Sequence, residues 1–280
     1  MKVIESAREM RLFSEEARAG GGEVVLVPTM GCLHEGHAAL VRKARSVGDV
    51  VVLSIFVNPA QFGPSEDYEA YPRTMEHDLA VAEAEGVDVV FTPPVEQMYP
   101  PGFSTYVVVE GITAGLCGAS RPGHFRGVAT VVTMLFNIVR PVRAVFGLKD
   151  YQQQLVVKRL VSDLHMDIGI VTVETVREPD GLAMSSRNRY LDGRERRAAR
   201  AVPRSLEAAR RAFRQGERSA AAILAEMRKV MDEAPLVEVE YLKICDPHTL
   251  EELDHIEGGA LAAVAVRVGP ARLIDNLMLG

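Results

Sequence analysis

Apolar positions in the first two thirds of the chain follow two alternating rhythms. Residues 23–28 and 50–57 are short, nearly continuous apolar runs, the pattern of strands covered on both faces. Between them, residues 37–45 place Leu40, Val41 and Ala44 on one face of a helix. Residues 74–85 predict another helix, and residues 87–91 a strand that stops at Thr92-Pro93-Pro94. The rhythm continues with a long helix over 127–139, a strand over 143–146, a helix over 151–164 and a strand over 168–176. Such alternation predicts an α/β fold, a doubly wound parallel sheet of Rossmann-like type, whose ligands sit beyond the carboxyl ends of the strands.

The pattern changes after the Arg177-Glu178-Pro179-Asp180-Gly181 turn. Residues 193–215 and 219–233 read as Ala/Arg/Glu-rich helices, and residues 237–245, 261–268 and 271–277 as strands. The expected organisation is a catalytic domain over residues 1–176 and a smaller C-terminal α+β domain over 177–280.

Composition narrows the class. Apolar residues at 48% and charged residues at 25% of 280 positions exclude a disordered, collagen-like or coiled-coil chain. The longest apolar run, residues 128–139, is interrupted by Thr130, Thr133 and Asn137 and falls short of the roughly 18 residues a membrane span needs. Met1-Lys2-Val3-Ile4-Glu5 opens no signal-peptide core, so a cytoplasmic protein with no membrane partner is expected. Thirty-two basic against 38 acidic residues give a net charge of −6, which argues against a nucleic-acid partner. A small anion in a locally positive pocket stays compatible with that charge. Cys32, Cys117 and Cys245 are too few and too far apart for a disulfide framework.

The strongest chemical signal, Pro28 through His37, lies between the first predicted strand and the first helix. His34 and His37 are three apart and share a face at a helix start. Orphan main-chain N–H groups and the helix dipole favour phosphate there, and Gly36 lets a ligand approach the backbone. Two imidazoles can then donate to phosphoryl oxygens that gain charge in a transition state. Taken alone, the pair reads equally well as surface histidines on a capped helix. Zinc held by Cys32, His34 and His37 is disfavoured, because no distant pair completes the site and the spacing is not His-Glu-x-x-His.

The His-x-Gly-His sequence is similar to the HIGH-type signature of the nucleotidylyltransferase superfamily. Further segments coincide with it: Ser54 to Phe62, Tyr71-Pro72-Arg73-Thr74, Gly123 to Val128, Phe146 to Gln153 and Asp180 to Asn188. Together they resemble the pantothenate synthetase, or pantoate–β-alanine ligase, family from residue 24 to 191 and more weakly to 276. Cys32, Ala60 and Leu148 depart from the family pattern. His77 stands where relatives can carry an acid, which leaves the neighbouring Asp78 as the candidate metal ligand.

The resemblance implies ATP-dependent condensation of pantoate with β-alanine to pantothenate, through a pantoyl adenylate, with release of AMP and pyrophosphate. It also implies Mg²⁺, a homodimer and a C-terminal domain serving as a lid. By resemblance, Met30, Gly31, Cys32, Leu33, His34, Glu35, Gly36 and His37 contact ATP. His34 and His37 stabilise phosphate charge, with His37 in a proton-donating role. Gly147, Leu148 and Asp150 lie by the nucleotide, Lys149 pairs with phosphate, and Val176 backs the adenine through its main chain. Met184, Ser185, Ser186 and Arg187 resemble a mobile phosphate-binding segment. Gln61 and Gln153 bind pantoate, with Asn58 and His124 also at the substrates and Arg121, Arg126 and Tyr71 of second rank.

Each residue also has an ordinary structural reading. Lys149 fits a solvated lysine, Asp150 an N-cap, and the amides turn stabilisers; Ser185 to Asn188 fits a polar loop. Two other functions compete. Nucleotidyl transfer to a phosphorylated acceptor calls for additional basic residues, and a non-catalytic nucleotide-binding module calls for an incomplete catalytic set.

Overall fold

The computed structural model describes residues 1–64 and 66–280. Its larger sheet is six-stranded and parallel: β1 (Lys2–Ile4), β2 (Val24–Thr29), β3 (Val50–Ile55), β4 (Val89–Phe91), β5 (Arg143–Gly147) and β6 (Gly169–Val173), in the order β1-β4-β3-β2-β5-β6. The helices are α1 (Ala7–Ala19), α2 (Glu35–Arg45), α3 (Met75–Ala84), α4 (Val95–Met98), α5 (Leu116–Ser120), α6 (His124–Val139), α7 (Tyr151–Asp163), α8 (Gly193–Ala199), α9 (Ala201–Arg214) and α10 (Ala220–Asp232).

The central strand is β2, hydrogen-bonded to β3 on one side and β5 on the other, with Val24 to Val27 wholly buried. From β2 the chain winds outward through β3 and β4, then returns to the other side with β5 and β6. The sheet therefore reverses its winding between β2 and β5, and the carboxyl end of β2 opens at that switch point. Val25, Val27, Leu33, Val41, Leu53, Val90 and Val145 share the core beneath it.

The chain divides into two compact units. The first comprises Met1–Val109, Arg121–Leu148 and Gln153–Glu174; the second comprises Glu110–Ser120, Lys149–Gln152 and Thr175–Gly280. This differs from a single break after residue 176, because two short segments join the C-terminal unit. Side chains tie them there. Cys117 N–H donates to Gln152 Oε1, Gln152 Nε2 donates to the Ile112 and Gly115 carbonyls, and Arg272 donates to Ser120 Oγ.

In the C-terminal unit, β7 (Val237–Cys245), β8 (Ala260–Val268) and β9 (Ala271–Leu279) form an antiparallel sheet in that order. Leu206 of α9 and Ile223 and Met227 of α10 share its core with Ile244, Val264 and Val266. The single helix expected over 193–215 is two. Pro203 has no N–H to return to the Ala199 carbonyl, so α8 ends and α9 starts around Arg200. The sequence reading also passed over β1 and α1. β1 is a three-residue edge strand, and the start of α1 is marked by Ser6 Oγ accepting the Glu9 N–H. Among the described residues, no helix is long and apolar enough to cross a membrane.

Candidate active site

The loop leaving β2 turns sharply. Gly31 has φ +82° and Cys32 φ +50°, so two successive residues adopt left-handed conformations. A Cβ on Gly31 would lie 2.9 Å from Asp78 Oδ2 and 3.0 Å from Ile55 Cγ2, so only glycine fits comfortably. Thr29 Oγ1 donates to the Ser54 carbonyl at 2.7 Å and accepts the Gly31 N–H at 3.2 Å. Asp78, 1% exposed in the first turn of α3, accepts the Cys32 N–H on Oδ2 at 2.8 Å and the Leu33 N–H on Oδ1 at 2.7 Å. Thr74 Oγ1 adds a third donor at 3.1 Å. Asp78, the candidate metal ligand, thus clamps the main chain of this loop. Among the described residues, no group of three or more His, Cys, Asp or Glu side chains is arranged to hold a metal ion.

Directly after the loop, the two histidines cap α2 with each other's help. His34 is the N-cap, and its Nδ1 accepts the Gly36 N–H at 3.1 Å. His37 Nδ1 accepts the His34 N–H at 3.2 Å, and the ring centroids are 4.1 Å apart. An Nδ1 that accepts a main-chain N–H carries no proton, so each neutral ring holds its proton on Nε2. Two N–H donors are thus fixed at a helix N-terminus, on the carboxyl end of the central strand. Glu35, expected near the nucleotide, instead pairs with Arg42, which also holds Glu85; the Glu35 and Arg42 side chains are half exposed.

Beyond β3, a 3₁₀ turn over Pro59–Gln61 presents Gln61. Asn58 is 1% exposed and fully engaged: Nδ2 donates to Gln61 Oε1 at 3.0 Å and the Gly127 carbonyl at 3.1 Å, while Oδ1 accepts the Tyr99 hydroxyl at 2.7 Å. It braces Gln61 from behind. Gln61 Nε2 lies 3.0 Å from Met30 Sδ, bringing the Pro28–His37 segment and the Asn58–Gln61 segment together. Gly127 permits this packing, since a Cβ there would sit 2.2 Å from the Ala60 carbonyl oxygen. His124 is also buried, with Nδ1 2.9 Å from the Gln61 carbonyl and Nε2 3.0 Å from Arg121. Arg121 pairs with Glu66 at 2.6 Å, and neither Glu66 nor Tyr99 had a sequence signal. Arg126 stacks over Tyr106, at 4.1 Å from the ring centre.

The C-terminal unit holds a different set. The turn Leu148–Asp150 follows β5, and Lys149 Nζ donates to the Met184 carbonyl at 2.9 Å. Burial pushes the Lys149 ammonium below the usual lysine range; Asp150 and Asp275 oppose that shift and the Arg187 guanidinium adds to it. The Lys149 carbonyl accepts from Asn276 Nδ2 at 2.9 Å. Asp150 itself is exposed. The Val176 carbonyl accepts the Met184 N–H, and Ser185 caps the 3₁₀ turn Ser186–Tyr190 through an Oγ that accepts the Arg187 N–H. Asn188 bonds Glu178 and the Ala183 carbonyl, and Arg196 bonds Glu178 and Asp180, so the serine–arginine segment has a braced base. On α7, Gln153 is half-buried, whereas its neighbours Gln152 and Gln154 are buried.

The chain as a whole resembles known proteins. The chain is 55% identical to the pantothenate synthetase of Pelotomaculum thermopropionicum and 53% identical to that of Geobacter sulfurreducens, over all of this chain and 99% of each relative. The crystal structure of pantothenate synthetase from Thermus thermophilus superposes with a TM-score of 0.94 at 49% identity, covering 99% of both chains. The pantoate-beta-alanine ligase of Francisella tularensis, complexed with beta-gamma ATP and beta-alanine, superposes with a TM-score of 0.81 at 30% identity, covering 99% of this chain and 97% of that one. The model of the pantoate-beta-alanine ligase family matches residues 2–278, and with these full-length relatives the chain belongs to that family.

Proposed function

We propose that this chain condenses pantoate with β-alanine in two steps driven by ATP. In the first, a pantoate carboxylate oxygen attacks the α-phosphorus, the bond to the β-phosphate breaks, and pyrophosphate leaves. In the second, the uncharged amine of β-alanine attacks the acyl carbon of the adenylate, and AMP leaves with the bonding electron pair. The observation that carries this reading is the paired-histidine cap at the switch point of the sheet. The Nε2–H groups of His34 and His37, added to the N-terminal amides of α2, suit a phosphate whose oxygens gain charge during attack.

The remaining roles are those that membership of the family implies. Met30, Gly31, Cys32, Leu33 and Gly36 form the main-chain wall against the nucleotide, and Gly147, Leu148, Asp150 and Val176 the ribose and adenine side. Lys149 and Arg187 supply cations and Ser185 and Ser186 hydroxyls for the polyphosphate, with Met184 between them in sequence. Gln61 and Gln153 hold pantoate, whose hydroxyls and carboxylate suit neutral amides. Magnesium enters as the ATP complex and neutralises triphosphate charge. The enzyme works in the cytoplasm as a homodimer, which light scattering at twice 30.6 kDa would register.

The test is pantoate-dependent exchange of labelled pyrophosphate into ATP, with Mg²⁺ present and β-alanine omitted. Exchange is expected. Its absence from folded, ATP-binding protein, with no turnover when β-alanine is added, would overturn the assignment and favour a phosphorylated acceptor.

A further inference from the structure

Gln61 lies in a turn too short to fix itself. The 3₁₀ turn Pro59–Gln61 contributes the Gln61 N–H to the Asn58 carbonyl and the Phe62 N–H to the Pro59 carbonyl, both at 3.3 Å. Such a turn has poor hydrogen-bond geometry, so the Gln61 peptide needs an outside partner to hold its orientation. His124 provides one. Arginine has donors only, so Arg121 Nη1 donates to His124 Nε2 across 3.0 Å, and the ring proton sits on Nδ1. That Nδ1–H then donates to the Gln61 carbonyl at 2.9 Å. Arg121 is fixed in turn by Glu66: Nε donates to Oε1 at 2.7 Å and Nη2 to Oε2 at 2.6 Å, with both side chains largely buried. Each member sets the direction of the next.

We propose that Glu66 and Arg121 are positioning residues for pantoate, acting on the backbone carbonyl of Gln61 both through His124 and through Arg121 Nη2, which donates to that carbonyl at 3.4 Å. This rests on the reading of Gln61 as a pantoate ligand. The chain runs entirely within the N-terminal unit, and its far end is 55 residues from Arg121 in sequence. Turning the Gln61 peptide swings the side-chain amide that meets substrate, while the α2 terminus that meets ATP is held separately by Asp78 and the two histidines. The effect is therefore larger on pantoate than on ATP, whose segment Gln61 touches through Met30 Sδ.

The experiment measures KM for pantoate, KM for ATP and the melting temperature of the full chain carrying Glu66→Gln, Arg121→Lys, Gln61→Ala or His124→Asn, and the double variant of Glu66→Gln with His124→Asn. Glu66→Gln and Arg121→Lys are each expected to raise the pantoate KM about tenfold by misplacing the amide, with a smaller rise in the ATP KM. Arg121→Lys keeps the charge and loses the fork, so it carries the comparison if Glu66→Gln does not fold. His124→Asn keeps an amide N–H at the Nδ1 place and cuts the His124 branch, leaving the direct Arg121 Nη2 donation to the Gln61 carbonyl. In that background, Glu66→Gln should raise the pantoate KM by a smaller factor than it does alone. An unchanged pantoate KM in both Glu66→Gln and Arg121→Lys, beside a raised one in Gln61→Ala, would overturn the relay and leave the pantoate reading standing. An unchanged pantoate KM in Gln61→Ala would overturn that reading itself. Equal rises in both KM values with a lower melting temperature would reduce Glu66 and Arg121 to general scaffold.

Discussion

On the proposed reading, the two units meet the same demand, holding an anion, by opposite means. In the N-terminal unit the donors are neutral and their directions are set by the main chain: each histidine spends Nδ1 on a backbone N–H and thereby presents Nε2–H. In the C-terminal unit the donors are cations, with Lys149 tied to a carbonyl and depressed by burial and by Arg187. The first arrangement has little to reorganise, since capping is part of helix α2 itself. The second sets Lys149 near Asp150 and Asp275 as well as Arg187, and an incoming anion favours its charged form. Preorganised dipoles suit the atom where charge develops; cations suit a group that arrives already charged and then departs.

Removing one donor from each set is the harshest trial of that contrast. His37→Ala deletes an Nε2–H and one half of the reciprocal cap, and Lys149→Ala deletes a half-buried charge. Each is expected to slow pyrophosphate exchange on the order of a hundred- to thousandfold, the usual worth of a donor aimed at developing charge. The contrast lies in binding. Equilibrium dialysis should find the ATP dissociation constant raised more by Lys149→Ala than by His37→Ala. Equal effects on binding and rate in both variants would erase the distinction.

The scaffold of the neutral set is the next target. Gly127→Ala would push a Cβ to within 2.2 Å of the Ala60 carbonyl oxygen, backbone that cannot swing aside. A loss of roughly 1–3 kcal/mol is expected from such overpacking, read by urea unfolding followed at the N-terminal unit. A smaller loss, toward the low end of about 1–3 kcal/mol, is expected for Asp78→Asn, which turns an amide donor toward one of two buried main-chain N–H groups. Its ATP KM should rise as the loop loosens. If ATP binding and stability were both untouched, the clamp would be dispensable and the preorganisation argument would lose its basis.

How much of this was legible in the sequence follows from how far apart the cooperating residues lie. The strands around β2 were legible because a parallel sheet buried on both faces leaves continuous apolar runs, as at Val24 to Val27. The histidine pair was legible as chemistry through its spacing, but its tautomers were not, because they depend on which main-chain N–H each ring meets. The main-chain clamp of Asp78 was not legible: a carboxylate 46 and 45 residues from the amides it binds looks the same in sequence as one facing a cation. Asn58 and His124 were read as touching substrate, and both turn out buried behind Gln61. The start of α9 escaped notice because Ala/Arg-rich periodicity runs through the break, and Pro203 was the one residue marking it.

The finest distinction between the two units is in their response to protons. Burial lowers the Lys149 ammonium from its ordinary value, an effect that Asp150 and Asp275 only partly offset. As pH rises through the lowered value, Lys149 loses its charge earlier than a solvent-exposed lysine, which titrates near about 10.4. Activity that depends on that charge falls on the alkaline side accordingly. A bound phosphate favours the charged form and raises the value again, so nucleotide binding on that limb draws a proton from solution. Titration calorimetry in buffers of different ionisation enthalpy should record proton uptake that grows with alkalinity. In Lys149→Arg the uptake should vanish, since a guanidinium keeps its proton throughout. Uptake that persisted in that variant would move the titrating group elsewhere, and the two sets of donors would no longer differ in the way they answer charge.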